Sequence, residues 1–458
     1  MNVHAHPLPA FDPGALDAEW ARVAMMLTLA EAARAGTEPG ADFVEHFAGI
    51  GRGVAENRVA GVWAGLAKVV EPALLDGFVH LDLDLLAVAL AVAARPATGA
   101  RLHALQPHLA APWPSLALLE ELLMLDDGAD LAALFDRLAP TAPLVAAGLL
   151  RVAGEGPYQQ VRPTSLVERA VLGRVTDLAP PPGAVLEPRR ARWAELVLPT
   201  ATVRALHDLV AWLRFRDQIG AWGGRPGGGP LALLTGASGT GKSLAVRVVA
   251  AELSALTGEP WELYTLDLGR VMSKYIGETE ENMNRLLDAL DGRRAILQID
   301  EADGLFGKRG DISDARDRYA NLEVSHMLSR FERHAGPVIL TSNLRTNIDA
   351  AFLRRFQMVI DFPSPDAGAR ADLWAGLIPP DAPRDPALAM GELAAAVRLS
   401  GGSILNAAHY AAILARAADE PVSHRHVARA VWAELAKENR QIRRSEIGSL
   451  AAHLEEDA

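Results

Sequence analysis

The sequence predicts an α/β fold, in which a parallel sheet flanked by helices is preceded by a mostly helical domain and followed by a helical lid. Two observations support this prediction. Between Leu231 and Phe362, short apolar runs alternate with segments of helical periodicity, which is the pattern of a parallel sheet with crossover helices. Near the start of this region stands Gly236-Ala-Ser-Gly-Thr-Gly-Lys-Ser243, a phosphate-binding loop pattern in its expected context.

The apolar and helical periodicities place the individual elements of this region. Strands are predicted at 231–235, 261–266, 295–299, 337–341 and 357–362. Helices are predicted at 242–256, 278–291 and 316–334, and beyond Pro363 at 367–377, 391–397, 403–418 and 423–438. The last four helices form the predicted lid.

Residues 1–180 are rich in Ala and Leu and are predicted to form the helical N-terminal domain. Near its end, a helix runs into two short strands around the turn Gly154-Glu-Gly-Pro157, which is the outline of a winged-helix unit. An all-helical domain with one loose hairpin is the alternative. Helices in this domain are predicted at 15–35, 57–71, 83–94, 115–125 and 129–138.

Proline marks the boundary between the domains. Pro180-Pro-Pro-Gly183 cannot continue a helix and stiffens the chain, so residues 181–192 are predicted to be a linker. The nucleotide-binding subdomain is then assigned to residues 193–363, and the helical lid with the C-terminal tail to residues 364–458.

Composition limits the function classes. The 458 residues carry a formal net charge of −12 and contain no cysteine, which excludes disulfides, thiolate zinc sites and a cysteine nucleophile. The acidic balance argues against nucleic acid as the main partner. The longest apolar run, Leu85 to Ala94, is too short to cross a bilayer, and no secretory signal is recognised, so we expect no membrane partner and a cytoplasmic location.

The loop at 236–243 predicts ATP binding. Its glycines let backbone N–H groups surround phosphates at a helix N-terminus, which favours anions. Lys242 is expected to reach the β- and γ-phosphates, and Ser243 to ligate Mg²⁺. The predicted nucleotide-binding residues also include the neighbours of Lys242 and Ser243 in the loop and one residue of the lid. The full set comprises Gly236, Ala237, Ser238, Gly239, Thr240, Gly241, Lys242, Ser243, Leu244 and, from the lid, Gly402.

An acidic pair follows the apolar run Ala295–Ile299. We expect Asp300 to hold Mg²⁺, directly or through a water, and Glu301 to polarise the attacking water. A helix N-cap followed by a first-turn acid is the alternative interpretation of such a pair. Gln298 is unusual inside this apolar strand, which suggests a polar neighbour.

The next apolar run, Val338 to Ser342, ends in Asn343. An Asn at a strand end is often simple turn chemistry. Because it follows a phosphate loop and an acidic pair, Asn343 is expected to contact the γ-phosphate or the catalytic water. The segment Asp349-Ala-Ala-Phe-Leu-Arg-Arg-Phe356 follows, and its two arginines are either surface charges or catalytic groups.

These four elements, in this order over residues 190–440, resemble the AAA+ ATPases. Asp300-Glu301-Ala-Asp303 is similar to their Walker B motif and Asn343 to sensor 1. Alignment on Phe356 puts Arg355 at the position of the arginine finger, although two residues between the paired arginines of the usual pattern are missing. The resemblance implies that Arg355 reaches ATP bound to the neighbouring subunit of a ring, for which a homo-hexamer is expected. Gly401-Gly-Ser-Ile404 resembles the sensor 2 region of the AAA clade.

Ser273-Lys-Tyr-Ile-Gly277 resembles pore loop 1 of AAA proteins that pull polypeptides through a central channel. The resemblance implies that Tyr275 grips an extended chain, with Lys274 and Ile276 on either side. A core tyrosine ahead of a helix cap is the alternative. A protein substrate is therefore the expected partner.

A narrower resemblance extends over 296–365. Phe306–Arg309, Asp317–Val324 and Asn347–Phe356 are similar to AAA+ ATPases encoded with extracellular contractile injection systems, the phage-tail-like particles. Three hypotheses remain open: a ring that remodels proteins, with injection-system components as candidate substrates; a DNA-associated AAA+ ATPase that uses the winged helix; and a non-catalytic scaffold. An intact Glu301 disfavours the scaffold.

Overall fold

In the computed structural model the chain divides into two compact units, residues 1–179 together with 291–293, and residues 180–290 together with 294–458. The described residues are 16–70, 75, 77–125, 127–173, 180–222, 229–271, 278–302, 326–343, 353–437 and 443–454.

The first unit is built around one apolar helix, α3, which carries the longest apolar run of the sequence. Its side chains Leu85, Leu86 and Leu90 are fully buried, and the helix packs against α1, α4 and α8. The helices of the unit are α1 (Asp17–Arg34), α2 (Ala41–Val59), α3 (His80–Ala94), α4 (Pro96–Leu105), α5 (Leu116–Leu123), α6 (Gly128–Leu138), α7 (Pro143–Ala146) and α8 (Ser165–Leu172).

The predicted hairpin is present in this unit. Strands β1 (Leu150–Ala153) and β2 (Gln160–Pro163) pair antiparallel, and α5, α6 and α7 precede them in the chain. The winged-helix interpretation stays a prediction. The prediction of a helix over 57–71 is wrong. Helix α2 ends at Val59 and Gly61 adopts a left-handed conformation (φ +88°), so that only a short 3₁₀ turn, Ala64–Lys68, follows.

The second unit contains the predicted sheet. Its strand order is β3-β5-β6-β7-β4-β8, and the five strands from β5 to β8 in this order are mutually parallel. The strands are β3 (Ala184–Leu186), β4 (Leu231–Thr235), β5 (Glu262–Leu266), β6 (Ala295–Ile299), β7 (Val338–Ser342) and β8 (Met358–Asp361). The predicted α/β fold with a parallel sheet is confirmed.

One segment departs from the prediction. The residues expected to be a linker, 181–192, include β3, which pairs antiparallel with β5 and forms the edge of the sheet. A strand of three residues is too short to show an alternation of apolar and polar residues. Its pairing with β5, about 80 residues further along the chain, is not visible in the local sequence either.

Helices cover both faces of the sheet and form the lid. On one face, α9 (Thr200–Ala221) packs against α10; on the other, α12 and the helical residues 326–333 supply Leu286, Leu328 and Phe331 to the core. The remaining helices of the unit are α10 (Lys242–Thr257), α11 (Leu268–Val271), α12 (Glu278–Leu290), α13 (Ala367–Leu377), α14 (Met390–Ala396), α15 (Gly401–Ala417) and α16 (His424–Ala436). The last four form the lid around Trp374, which is 1 % exposed.

No single helix in the described ranges has the length and apolar character to cross a bilayer. Helices α3 and α4 reach that length only together, and they meet at an angle of 112°.

Candidate active site

The phosphate loop connects the end of β4 at Thr235 to the start of α10 at Lys242. Gly239 has φ +75°, a left-handed conformation that favours glycine. A side chain at Gly236 would collide with the carbonyl oxygen of Phe362. The loop therefore requires glycine at both positions, and it presents its backbone at the N-terminus of a 16-residue helix, where an anion is favoured.

Lys242 lies under the loop and is 7 % exposed. Its Nζ donates to the carbonyl oxygens of Gly236 (2.6 Å) and Ala237 (2.9 Å) and to Oδ1 of Asn343 (3.0 Å). These contacts fix the ammonium group at the loop that would hold the phosphates. They also bring Asn343, at the end of β7, to the same point as the lysine.

Asp300 and Ser243 form the candidate metal site. Ser243 Oγ donates to Asp300 Oδ1 at 3.0 Å. A hydroxyl and a carboxylate are hard oxygen ligands, and Mg²⁺ in nucleotide sites is held by one or two carboxylates together with phosphate oxygens. Among the described residues, no group of three or more His, Asp or Glu side chains is placed to hold a metal ion. The pair therefore fits Mg²⁺ that arrives with a nucleotide.

Two further side chains hold the same carboxylate. Gln298 Nε2 and Thr341 Oγ1 donate to Asp300 Oδ1 at 2.7 Å and 2.9 Å. The polar neighbour suggested for Gln298 by the sequence is thus Asp300 itself. Thr341, on β7, gave no signal in the sequence beyond its place two residues ahead of Asn343.

Glu301 directly follows Asp300, and its side chain is exposed. Its backbone has φ +52°, a conformation that costs a non-glycine residue about 1–2 kcal/mol. The backbone N–H of Glu301 donates to Thr341 Oγ1 at 3.2 Å, which holds this turn in place. Strained residues of this kind are concentrated at functional sites.

The lid reaches the phosphate loop through Gly402. The backbone N–H of Gly402, in the first turn of α15, donates to the carbonyl oxygen of Gly239 at 2.8 Å. Ser400, the N-cap of α15, lies beside Gly239 and was not singled out in the sequence. Leu244 is half-buried in the first turn of α10, and no contact distinguishes it as a ligand.

Arg355 occupies a different place from the phosphate loop. Its Nη1 donates to Glu332 Oε2 at 3.2 Å, and both side chains are about one-third exposed, at 31 % and 33 %. Arg355 lines a cavity of about 530 Å³ together with residues of α12 and of the helix at 326–333, including Arg330 and Arg333. Glu332 was not recognised from the sequence, since nothing in its spacing relates it to Arg355.

Several predicted residues lie outside the described ranges. These are the pore-loop residues Lys274, Tyr275 and Ile276, and most of the segments on which the injection-system resemblance depends. Their roles stay predictions.

Comparison with known proteins locates the similarity in the sheet-containing region. Residues 232–364 match the family described as "ATPase family associated with various cellular activities (AAA)". The ATPase family gene 2 protein of Schizosaccharomyces pombe is 36% identical over 149 residues, which is 31% of this chain and 17% of that protein. An uncharacterized AAA family ATPase of Sinorhizobium fredii is 31% identical over 182 residues, 40% of this chain and 52% of that protein.

A third relative, described as an AAA ATPase forming ring-shaped complexes, comes from Corynebacterium kroppenstedtii. It is 32% identical over 169 residues, which is 34% of this chain and 29% of that protein. The chain thus spans between about a sixth and about half of the length of these relatives. The matched segment contains the phosphate loop, the acidic pair, Asn343 and Arg355. Over residues 232–364 the chain is therefore similar to ATPase domains of the AAA family.

Proposed function

We propose that this protein hydrolyses ATP at the subunit interfaces of a homo-oligomeric ring, expected to be a hexamer, and uses the energy to remodel a protein partner. The observation that carries the proposal is the position of Arg355. It lies in a cavity formed by α12 and the helix at 326–333, apart from the loop at 236–243. An arginine in this position, away from the phosphate loop of its own subunit, is available to an ATP molecule held by a neighbouring subunit.

Within one subunit, the described residues supply the remaining chemistry. Ser243 and Asp300 would hold a Mg²⁺ ion bound with ATP, and that ion would neutralise charge on the phosphates. Lys242 stabilises the negative charge that develops on the β- and γ-phosphates. Glu301, exposed beside Asp300, orients and polarises the attacking water. Asn343 contacts Lys242, so a change at the phosphates is transmitted to the end of β7.

The ion pair between Arg355 and Glu332 is compatible with a role in trans. Exposed pairs of this kind contribute about 0–1 kcal/mol, so it is readily exchanged for a phosphate. An arginine finger that contacts the transferred phosphate increases the rate by about 10³–10⁵. The gain at an assembled interface therefore far exceeds the cost of releasing Glu332.

Two inactive variants test the trans arrangement when they are mixed. Glu301→Gln removes the carboxylate that acts on water, and Arg355→Ala removes the finger. In a randomly mixed ring with head-to-tail contacts, about a quarter of the interfaces combine an intact Glu301 with an intact Arg355 from the neighbour. We expect each variant alone to be inactive and an equimolar, exchanged mixture to recover ATP turnover.

The control is each inactive variant mixed with itself at the same total concentration. If the mixture stays as inactive as its components although gel filtration shows mixed oligomers, Arg355 acts in its own subunit and the proposal is wrong. Turnover of the wild type that is strictly proportional to protein concentration through the range in which oligomers dissociate would also contradict it.

Protein remodelling is supported by the sequence around Tyr275 and by the acidic net charge of −12. Ring formation is supported by the relative described as forming ring-shaped complexes. We expect Tyr275→Ala to keep most of the basal ATPase activity and to lose remodelling, with Tyr275→Phe as the matched control. Normal remodelling by Tyr275→Ala would refute the threading role.

We propose the cytoplasm as the location and the assembly of a contractile injection system as the biological setting. The second proposal depends on the resemblance over 296–365 alone, and the three relatives named above carry no such description. Sheath, tube and baseplate genes beside the coding gene would support it. A pull-down with Glu301→Gln in ATP that recovers only unrelated proteins would count against it.

A further inference from the structure

Gln298 is a polar residue in the middle of a buried strand. Strand β6 lies between β5 and β7, and its other residues are Ala295, Ile296, Leu297 and Ile299. Gln298 is 2 % exposed. Burying an amide side chain costs free energy unless it is hydrogen-bonded, and an aliphatic residue would fill this place in the core at no such cost.

The amide is directed at the candidate metal site. Residues i and i+2 of a strand share a face, so Gln298 lies on the same side of the sheet as Asp300. Its Nε2 donates to Asp300 Oδ1 at 2.7 Å. Thr341, on the neighbouring strand β7, donates to the same oxygen at 2.9 Å, and Ser243 does so at 3.0 Å.

We propose that Gln298 and Thr341 are positioning residues that orient Asp300 for Mg²⁺. The inference rests on the proposed use of Mg²⁺–ATP by this protein. Three donors converge on one oxygen, and two of them, Gln298 and Thr341, belong to strands of the sheet and not to the phosphate loop or its helix. When Ser243 turns to the metal, Gln298 and Thr341 still hold Oδ1, so the carboxylate keeps its orientation. Its other oxygen stays available to the metal or to a water bound to it.

Gln298 and Thr341 belong to the neighbouring strands β6 and β7. Parallel pairing places Gln298 beside Ile339, two residues ahead of Thr341. The same register brings Thr341 to Asp300 and also to the backbone N–H of Glu301, at 3.2 Å. The side chain of Thr341 thus links the orientation of the metal-binding carboxylate to that of the turn bearing the catalytic Glu301.

Residues that orient a metal ligand typically contribute 10–100-fold to metal affinity. The test measures Mn²⁺ binding to the full chain in the presence of a saturating non-hydrolysable ATP analogue, with free Mn²⁺ followed by electron paramagnetic resonance. We expect Gln298→Met, which keeps the length of the side chain, to weaken Mn²⁺ affinity about 10–100-fold. The affinity for a fluorescent nucleotide in EDTA is expected to stay within about twofold of the wild type, because the phosphate loop is intact.

Gln357→Met is the matched control. Gln357 also uses its side-chain amide in the sheet, because its Oε1 accepts from the backbone N–H of Leu231 at 2.6 Å, at the end of β4 away from the phosphate loop. We expect this variant to bind Mn²⁺ as the wild type does. Thr341→Val provides a second test that does not depend on the folding of Gln298→Met: it should weaken Mn²⁺ binding, and Thr341→Ser, which keeps the hydroxyl, should restore it.

Wild-type Mn²⁺ affinity in both Gln298→Met and Thr341→Val would overturn the inference. So would an equal loss of metal-free nucleotide affinity, or the same loss in Gln357→Met, since either result would indicate general damage to the sheet. The proposed function fails separately, if the wild type binds no metal–nucleotide complex or if its complex is never hydrolysed.

Discussion

Gly239 allows a sharp prediction, because the structure separates two effects of adding a methyl group there. An L-residue at φ +75° is strained by about 1–2 kcal/mol. The new Cβ would in addition lie 2.5 Å from Ser400 Oγ and 3.1 Å from the backbone nitrogen of Gly402. Gly239→Ala therefore strains the loop and pushes against the start of α15.

The second effect can be estimated from the role of Ser400. Its Oγ accepts from the backbone N–H of Ser403 at 3.2 Å and so caps α15. If the methyl group displaces this side chain, the cap is lost, which costs about 0.5–2 kcal/mol. Together with the backbone strain, we expect Gly239→Ala to lower the free energy of unfolding by about 1.5–4 kcal/mol. We also expect it to disrupt the loop backbone that holds the phosphates.

Gly258→Ala is the matched control. Gly258 follows the last residue of α10 and has φ +69°, close to that of Gly239, but a Cβ there meets nothing within 4 Å. It should cost only the backbone strain of about 1–2 kcal/mol and leave nucleotide affinity unchanged. Urea unfolding and the affinity for a fluorescent ADP would be measured for both variants. Equal losses of stability in the two variants, or normal nucleotide affinity in Gly239→Ala, would contradict the predicted clash with Ser400.

Three further predictions follow from other contacts. Asn343→Ala removes an acceptor of Lys242 and should lower kcat about 10²-fold while nucleotide affinity changes little; an unchanged kcat would contradict the role of Asn343. Glu19→Gln removes one of the two carboxylates that lie 2.7 Å from the buried guanidinium of Arg58 and leaves Asp84 as the other, so it should destabilise the first unit by about 1–3 kcal/mol in urea unfolding. A loss below about 1 kcal/mol would indicate a solvated pair. Burial raises the pKa of Asp82 above its ordinary value near 3.8, so the folded state binds the proton more tightly and this residue stabilises the fold less as the pH rises. The stability of wild type relative to Asp82→Asn should therefore increase as the pH is lowered from 7 towards 4, and a constant difference over that range would contradict the raised pKa.

Most elements of the nucleotide-binding region could be predicted from the amino-acid sequence. Strands 231–235 and 295–299 have the predicted bounds, since buried parallel strands are continuous apolar runs bounded by polar residues. The phosphate loop was equally clear, because glycine spacing and the Lys-Ser pair encode a local backbone geometry. Short-range patterns of this kind do not depend on the rest of the chain.

The contacts between distant side chains could be found only from the folded structure. In the sequence, Thr341 is 41 residues and Ser243 is 57 residues from Asp300. The register of β6 with β7 and the position of α10 after the phosphate loop bring the three side chains together. The partner of Arg355 and the buried pair of Glu19 with Arg58 arise in the same way. Strand β3 also escaped prediction, because three residues carry almost no periodicity.

For Gln298, the sequence and the folded structure each supplied part of the interpretation. Its presence in an apolar strand was visible in the sequence as an anomaly, because burying an amide is costly. The sequence did not identify Asp300 as the partner of Gln298. A hydrogen bond between these two side chains requires that both lie on the same side of the sheet. The parallel pairing with β7 then added Thr341, and so turned a single polar residue into a support for the metal-binding carboxylate.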